Sequence, residues 1–259
     1  MCKYLAGITA LFLFVPLAMA GLTDGLILYM PFEEGKGNVA KDLSENHFVG
    51  DINGAKWVAG KFGNALSFDG KGNFVEIKFA DAFNIKEGIT MAAWVTANIP
   101  FSPEWRIILN AKKSTQGPWG LQSRAAGNVE TFYDVGGVRV WNSSVSTMEK
   151  DVFHHIAGTY SKDDGFRVYF DGVLEANGAN SSNLNTRGNL DFPPSEGVMI
   201  GHNYNSADRW WNGIIDEVVI YNRALSDKEM AQLFKAPPVS FAVGSRDKLA
   251  TSWGHIRRE

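Results

Sequence analysis

The sequence is nearly without cysteine: among 259 residues only Cys2 carries a thiol. Intrachain disulfides and multi-thiolate metal sites are therefore excluded. Runs of like charge are also missing. Lys and Arg number 25 against 28 Asp and Glu, a formal net charge of -3, so there is no basic footprint for nucleic acid. Beyond the first twenty residues no apolar run is long enough to span a bilayer. No alternation of strand and helix patterns appears, which argues against a parallel sheet.

What the chain does have is apolar side chain. At 45% hydrophobic it can fill a sizeable core, as one large β-domain or two small ones. The first twenty residues stand apart. Lys3, an apolar run from Leu5 to Leu17 broken by Thr9 and Pro16, and Ala18-Met19-Ala20 form the pattern of a secretory signal peptide. An N-terminal anchor is the alternative, but the run is short for a span. Residues 1–20 are set aside, and the mature chain is expected to be secreted or at the cell surface. An exported chain with no disulfide suits a bacterial source.

From Gly21 onward strand signals dominate. Leu26 to Phe32, Ala65 to Phe68, Phe74 to Phe79, Ile89 to Ala97, Arg106 to Ala111 and Trp119 to Arg124 alternate apolar and polar residues between Gly, Asn and Asp clusters. Val129 to Val135 and Val138 to Trp141 flank Gly136-Gly137, a hairpin signature because such turns need positive φ. His154 to Tyr160 and Phe166 to Phe170 form a second hairpin around Lys162-Asp163-Asp164-Gly165. Gly197 to Gly201 and Ile214 to Tyr221 complete the set. Ser226 and Glu229 have capping-box spacing, so one short helix is expected, ended by Ala236-Pro237-Pro238. The fold class is all-β: a two-sheet antiparallel jelly-roll sandwich with one short C-terminal helix, over residues 21–236. Residues 237–259 read as a tail, with Phe241, Leu249, Trp253 and Ile256 available to pack against the body.

Five runs together resemble the laminin-G-like (concanavalin-A-like) jelly-roll family, related to pentraxins and lectins. They are Leu28–Gly35 with Lys41–Ser44; Lys61–Gly70 with Phe74–Ile77; Ile89–Val95; Phe153–Tyr160 with Val168–Gly172; and Ile200–Gly201 with Asn212–Val218 and Tyr221–Ser226. The resemblance implies two packed sheets, one concave, with ligands on the concave face or its rim loops. It speaks to fold more than to function.

A glycosidase needs two carboxylates across the scissile bond. Glucanases of this fold place them at alternating positions of one strand, and no Glu-x-Asp spacing of that kind occurs here. Asp216-Glu217 and Glu33-Glu34 are adjacent pairs, expected to face opposite ways. His154-His155 fails as a metal pair for the same reason, and no Gly-x-Ser-x-Gly elbow is present. The chain is accordingly expected to be a binding module and not an enzyme, with a glycoside hydrolase or polysaccharide lyase as the lesser alternative.

Two kinds of site remain. The resemblance implies a structural calcium, for which Glu33, Asp69 and Asp216 are the candidate ligands; the plainer alternative has Asp216 bonding a turn amide and Glu33 solvated. A pentraxin-type ligand calcium is not supported, because the matching loops, 112–116 and 202–208, hold only Asp208 as an acid. The second kind is a carbohydrate surface, which needs aromatic rings beside amide and acid side chains. Trp105, Trp119, Trp141, Trp210 and Trp211 lie in or beside loops, near Gln122, Arg139 and Asn142. The run His202, Asn203, Tyr204, Asn205, Ser206, Ala207, Asp208, Arg209, Trp210 is the best rim-loop candidate. The alternative is that these tryptophans cap the core. The expected partner is a glycan or polysaccharide; a protein partner at the cell surface is the rival.

Overall fold

The computed structural model describes residues 22–98, 105–112, 117–191, 196–203 and 208–238. The expected signal peptide, the segment 239–259 and Asn205 lie outside the described residues. Among those described there are sixteen strands and one α-helix. The strands are β1 Leu26–Met30, β2 Val39–Lys41, β3 Val49–Asn53, β4 Lys56–Ala59, β5 Asn64–Asp69, β6 Phe74–Lys78, β7 Gly88–Val95 and β8 Trp105–Lys112. There follow β9 Trp119–Arg124, β10 Asn128–Val135, β11 Val138–Thr147, β12 His154–Ser161, β13 Gly165–Phe170, β14 Val173–Leu174, β15 Gly197–Ile200 and β16 Asn212–Tyr221. Helix α1 spans Asp227–Lys235.

The strands form two antiparallel sheets packed face to face. One has the order β14-β13-β12-β7-β16-β5-β4, with β1 also paired to β16; the other runs β11-β10-β9-β8-β15-β6-β3-β2. One contiguous core lies between them. Ile89, Met91, Ala93 and Val95 of β7 and Leu121, Tyr133 and Val135 of the second sheet belong to it. Alternation along each strand produces this: every second side chain meets the opposite layer.

The turns form where the composition asked for them. Gly136 and Gly137 both take positive φ, 57° and 79°, so the β10–β11 hairpin closes tightly with Val135 opposite Val138. The carboxylate of Asp191 accepts from both of these glycine amides, at 3.0 and 2.6 Å.

Helix α1 lies on the outer face of the first sheet. Ser226 accepts from the Glu229 amide while Glu229 reaches back to the Ser226 amide, the reciprocal cap expected from sequence. Met230 and Leu233 pack on Tyr29, Ala92, Ala157, Tyr169, Val219 and Tyr221 in a second, smaller core. Phe234 stacks on Trp94 at 5.2 Å. All eight residues of β7 are consequently buried. No helix of the described residues is long and apolar enough to cross a membrane.

Burial under α1 has an electrostatic effect. His155 lies beside Trp94, ring centroids 5.4 Å apart, and loss of solvent pushes its pKa down to about 4. The unfolded chain therefore binds more protons between pH 4 and 6.5 than the folded one. His155 opposes folding increasingly as pH falls through that window, by up to about 3 kcal/mol. The change His155→Leu should remove this loss, so that the difference in unfolding free energy between variant and parent grows steadily on acidification. A constant difference across the window, measured by denaturant titration, would contradict the assignment.

Candidate functional site

With α1 on the first sheet, the outer face of the second sheet is where a ligand surface has room. Register builds it. Trp141 on β11 lies opposite Phe132 on β10, Phe132 opposite Gly120 on β9, and Gly120 opposite Asn110 on β8. Beyond Asn110 the row continues through Met199 and Glu76 to Asp51. A parallel row holds Ser143, Glu130 and Gln122, and Trp105 pairs with Arg124. All of these point away from the core, because their strand neighbours Tyr133, Leu121, Leu109 and Val198 point into it.

A cleft of about 260 Å³ opens on this face, lined by Trp105, Arg124, Glu130, Trp141 and Asn180. Its wall at Asn180 comes from a strap. The backbone of Ser182 exchanges hydrogen bonds with Trp141, the Gly178 amide donates to the Ser143 carbonyl, and Glu175 accepts from the Val145 and Ser146 amides. The strap thereby satisfies the otherwise bare edge of β11. Both tryptophan rings are half-buried. Arg124 and Arg209 place their guanidinium groups 5.4 and 5.1 Å from the Trp105 ring. Glu130 accepts from Gln122 at 2.6 Å and from Arg124 at 3.1 Å. Arg139 grips Asp134 through two bonds of 2.6 Å and lies over Phe132 at 4.9 Å.

Of the expected ligand residues, Trp105 and Trp141 meet in this cleft. Trp119 does not: it sits opposite Tyr133 on the inward side of β9 and is wholly buried in the core, so it is a packing residue. Trp211 is likewise a core residue. His202 and Trp210 stack on each other at 3.3 Å and both approach Phe74. His202 and Asn203 are buried, and burial pushes the His202 pKa down to about 4. The exposed Asp208 offers its backbone carbonyl to Arg106. Among its described residues the rim cluster read from sequence therefore centres on a packed His202–Trp210 stack. Arg124, Glu130 and Asn180 were missed; strand alternation around Gln122 could have found the first two, whereas Asn180 owes its place to the strap.

The three expected calcium ligands do not converge. Asp216 and Glu33 both reach the turn between β4 and β5. Asp216 accepts from the Lys61 and Phe62 amides at 2.9 and 3.1 Å, and Glu33 accepts from the Asn64 amide at 3.2 Å. Asp69 stands at the far end of β5, opposite Asn212. Among the described residues no group of three or more His, Cys, Asp or Glu is arranged to hold a metal ion.

Asp216 and Glu217 depart from the expected opposite orientation. The register with β7 shifts here and Glu217 adopts φ 52°, a bulge that cancels one step of alternation. Glu217 accepts from the Tyr29 hydroxyl at 2.6 Å and lies near Trp94 and His155. Both acids thus lie on the α1 side of the first sheet, buried, and do not reach the cleft.

Three comparisons place the fold. The Laminin_G_3 model, described as the concanavalin A-like lectin/glucanases superfamily, matches residues 69–231. The human adhesion G-protein coupled receptor D1 is 26% identical over 216 residues, 80% of this chain and 23% of the receptor. Among solved structures, the binding domain of Paraclostridial Mosquitocidal Protein 1 matches with a TM-score of 0.65 at 19% identity, covering 82% of this chain and 52% of that one. A Trypanosoma rangeli sialidase matches with a TM-score of 0.61 at 22% identity, covering 85% and 33%. At these identities the solved structures speak to fold alone, and this chain spans about half or less of each relative.

Burial raises the Asp216 pKa to about 7. Its folded value exceeds the unfolded one, so its contribution to stability is complete below the ordinary carboxylate range and is lost as pH rises through 7. Its slope opposes that of His155 where the windows overlap. Asparagine keeps an acceptor for the two amides and cannot ionise. Asp216→Asn should therefore stabilise the fold more at about pH 8 than at about pH 5. If calcium instead raised the unfolding midpoint of the parent and not of the variant, a metal at this turn would explain the acid.

Proposed function

The chain belongs to the concanavalin A-like lectin/glucanases superfamily, and from that premise we propose that it is an exported, non-catalytic module that binds carbohydrate in the cleft of the second sheet. The observation that carries this reading is the pairing of two half-buried indoles, Trp105 and Trp141, with amide, guanidinium and carboxylate groups in one cleft. Sugar rings stack on such faces while their hydroxyls bond to the polar groups. The two tryptophans are three strands apart, roughly 14 Å across the sheet, and their rows are offset along it, Arg124 against Gly120 on β9, which suits an oligosaccharide better than a single ring.

Catalysis is not part of the reading. Glu130 is the one acid among the described residues that line the cleft, and its two oxygens accept from Gln122 and Arg124. Glycoside hydrolysis calls for a second carboxyl facing the first. Likeness to a sialidase at 22% identity does not supply one. The matching part of Paraclostridial Mosquitocidal Protein 1 is a binding domain, in keeping with a recognition role.

A protein ligand is the second reading, favoured by one observation. A groove of about 320 Å³ between β3 and β6 is floored by Phe48, Ile77 and Ala80, with Val49 and Phe79 exposed at its edges. Apolar side chains left in solvent together suit a protein surface.

A glycan array, followed by calorimetry on any hit, separates the two. Carbohydrate binding should fall about tenfold or more in Trp105→Ala and in Trp141→Ala, with the circular dichroism spectrum unchanged. Undiminished affinity in both variants, or no carbohydrate bound by the parent, would remove the cleft from consideration.

A further inference from the structure

Resting on the carbohydrate reading, we propose that the cleft selects a neutral, hydroxyl-presenting glycan and discriminates against carboxylated or sulfated chains. The sign and pairing of the charges on this face carry the proposal. Arg124 is joined to Glu130 at 3.1 Å, Arg139 to Asp134 at 2.6 Å, and, farther along the same face, Lys112 to Glu76 at 2.6 Å. Each cation is matched by an acid of the neighbouring or next-neighbouring strand. A polyanion entering here would meet Asp134 and Glu76, each at least as exposed as its cation, with Glu130 buried beside Arg124, and would have to break charge pairs to gain new ones. Arg209 stands outside these pairs, at the cleft mouth, with its guanidinium over the Trp105 ring.

The uncharged groups beside the cleft are held in fixed orientations. Gln122 donates its amide N–H to Glu130, and Asn110 donates its amide to the Ala111 carbonyl. Carboxylate and carbonyl oxygens only accept, so these partners fix which end of each amide is nitrogen. That leaves Gln122 Oε1 and Asn110 Oδ1 buried with no partner among the described residues. Both are acceptors, on side chains that are wholly buried. A buried acceptor is relieved only by a donor. Neither side chain is exposed or lines the cleft, so a small donor such as water suits them, and the charge pairs alone carry the selectivity.

Affinity electrophoresis tests this with the whole protein in gels containing neutral polysaccharides (β-glucan, xylan, mannan and galactan) or the polyanions alginate and dextran sulfate. Retardation by at least one neutral polymer is expected, retained in about 0.5 M NaCl, where exposed charges are screened, and none by the polyanions. Retardation confined to alginate or dextran sulfate, or abolished by salt, would overturn the selectivity while leaving carbohydrate binding standing. No retardation in any gel would remove both. The variant Glu130→Gln should leave Arg124 uncompensated and raise affinity for alginate about tenfold. Should that variant fail to fold, Glu76→Gln reads the same effect through Lys112. A polyanion affinity unchanged in a folded variant would show that charge pairing does not set the selectivity.

Discussion

Strand β7 is buried on both faces, and the placement of function follows from that. Its inward residues Ile89, Met91, Ala93 and Val95 meet the other sheet. Its outward residues lie under α1: Ala92 joins the smaller core and Trp94 stacks on Phe234. Where α1 covers it, the first sheet has no open face. The second sheet has its core on one side only, so its outer surface and the segments along its edges are left open. The helix, nine residues long, thereby does more than cap the C-terminal end of the domain: it decides which layer is available.

On that available layer the polar groups are organised before any ligand arrives. Glu130 is held between an amide and a guanidinium, and Arg139 is locked on Asp134 while lying flat against Phe132. Groups fixed in this way lose little side-chain freedom on binding. On the other layer the buried acids Asp216 and Glu217 fasten a turn and a tyrosine within the first sheet. Two clusters of ionisable residues therefore lie on different layers, one on the outer face of the second sheet and one under the helix side of the first.

Much of the fold was legible in the sequence because its long strands alternate cleanly. The Gly136-Gly137 hairpin and the Ser226–Glu229 cap stand where their residue types demand. Strands β2, β3 and β4 were not legible. Val-Gly-Asp-Ile-Asn carries turn residues, and with only two of its five residues buried it offers little apolar pattern. The site was legible only in part. Tryptophan count pointed to Trp105 and Trp141, but residue type cannot tell an inward ring from an outward one, and Trp119 is the inward case. The Glu217 bulge hid the shared orientation of the two acids, since a single non-glycine residue at positive φ leaves no compositional mark. The segment that brings Asn180 to the cleft is set by long-range pairing, which local pattern does not encode.

That segment links the layers mechanically. It leaves the first sheet at β14 and binds the rim of the second at β11, so any sliding of one layer over the other is transmitted to the lip where Asn180 stands. Shape at the lip and registry between the layers become one variable.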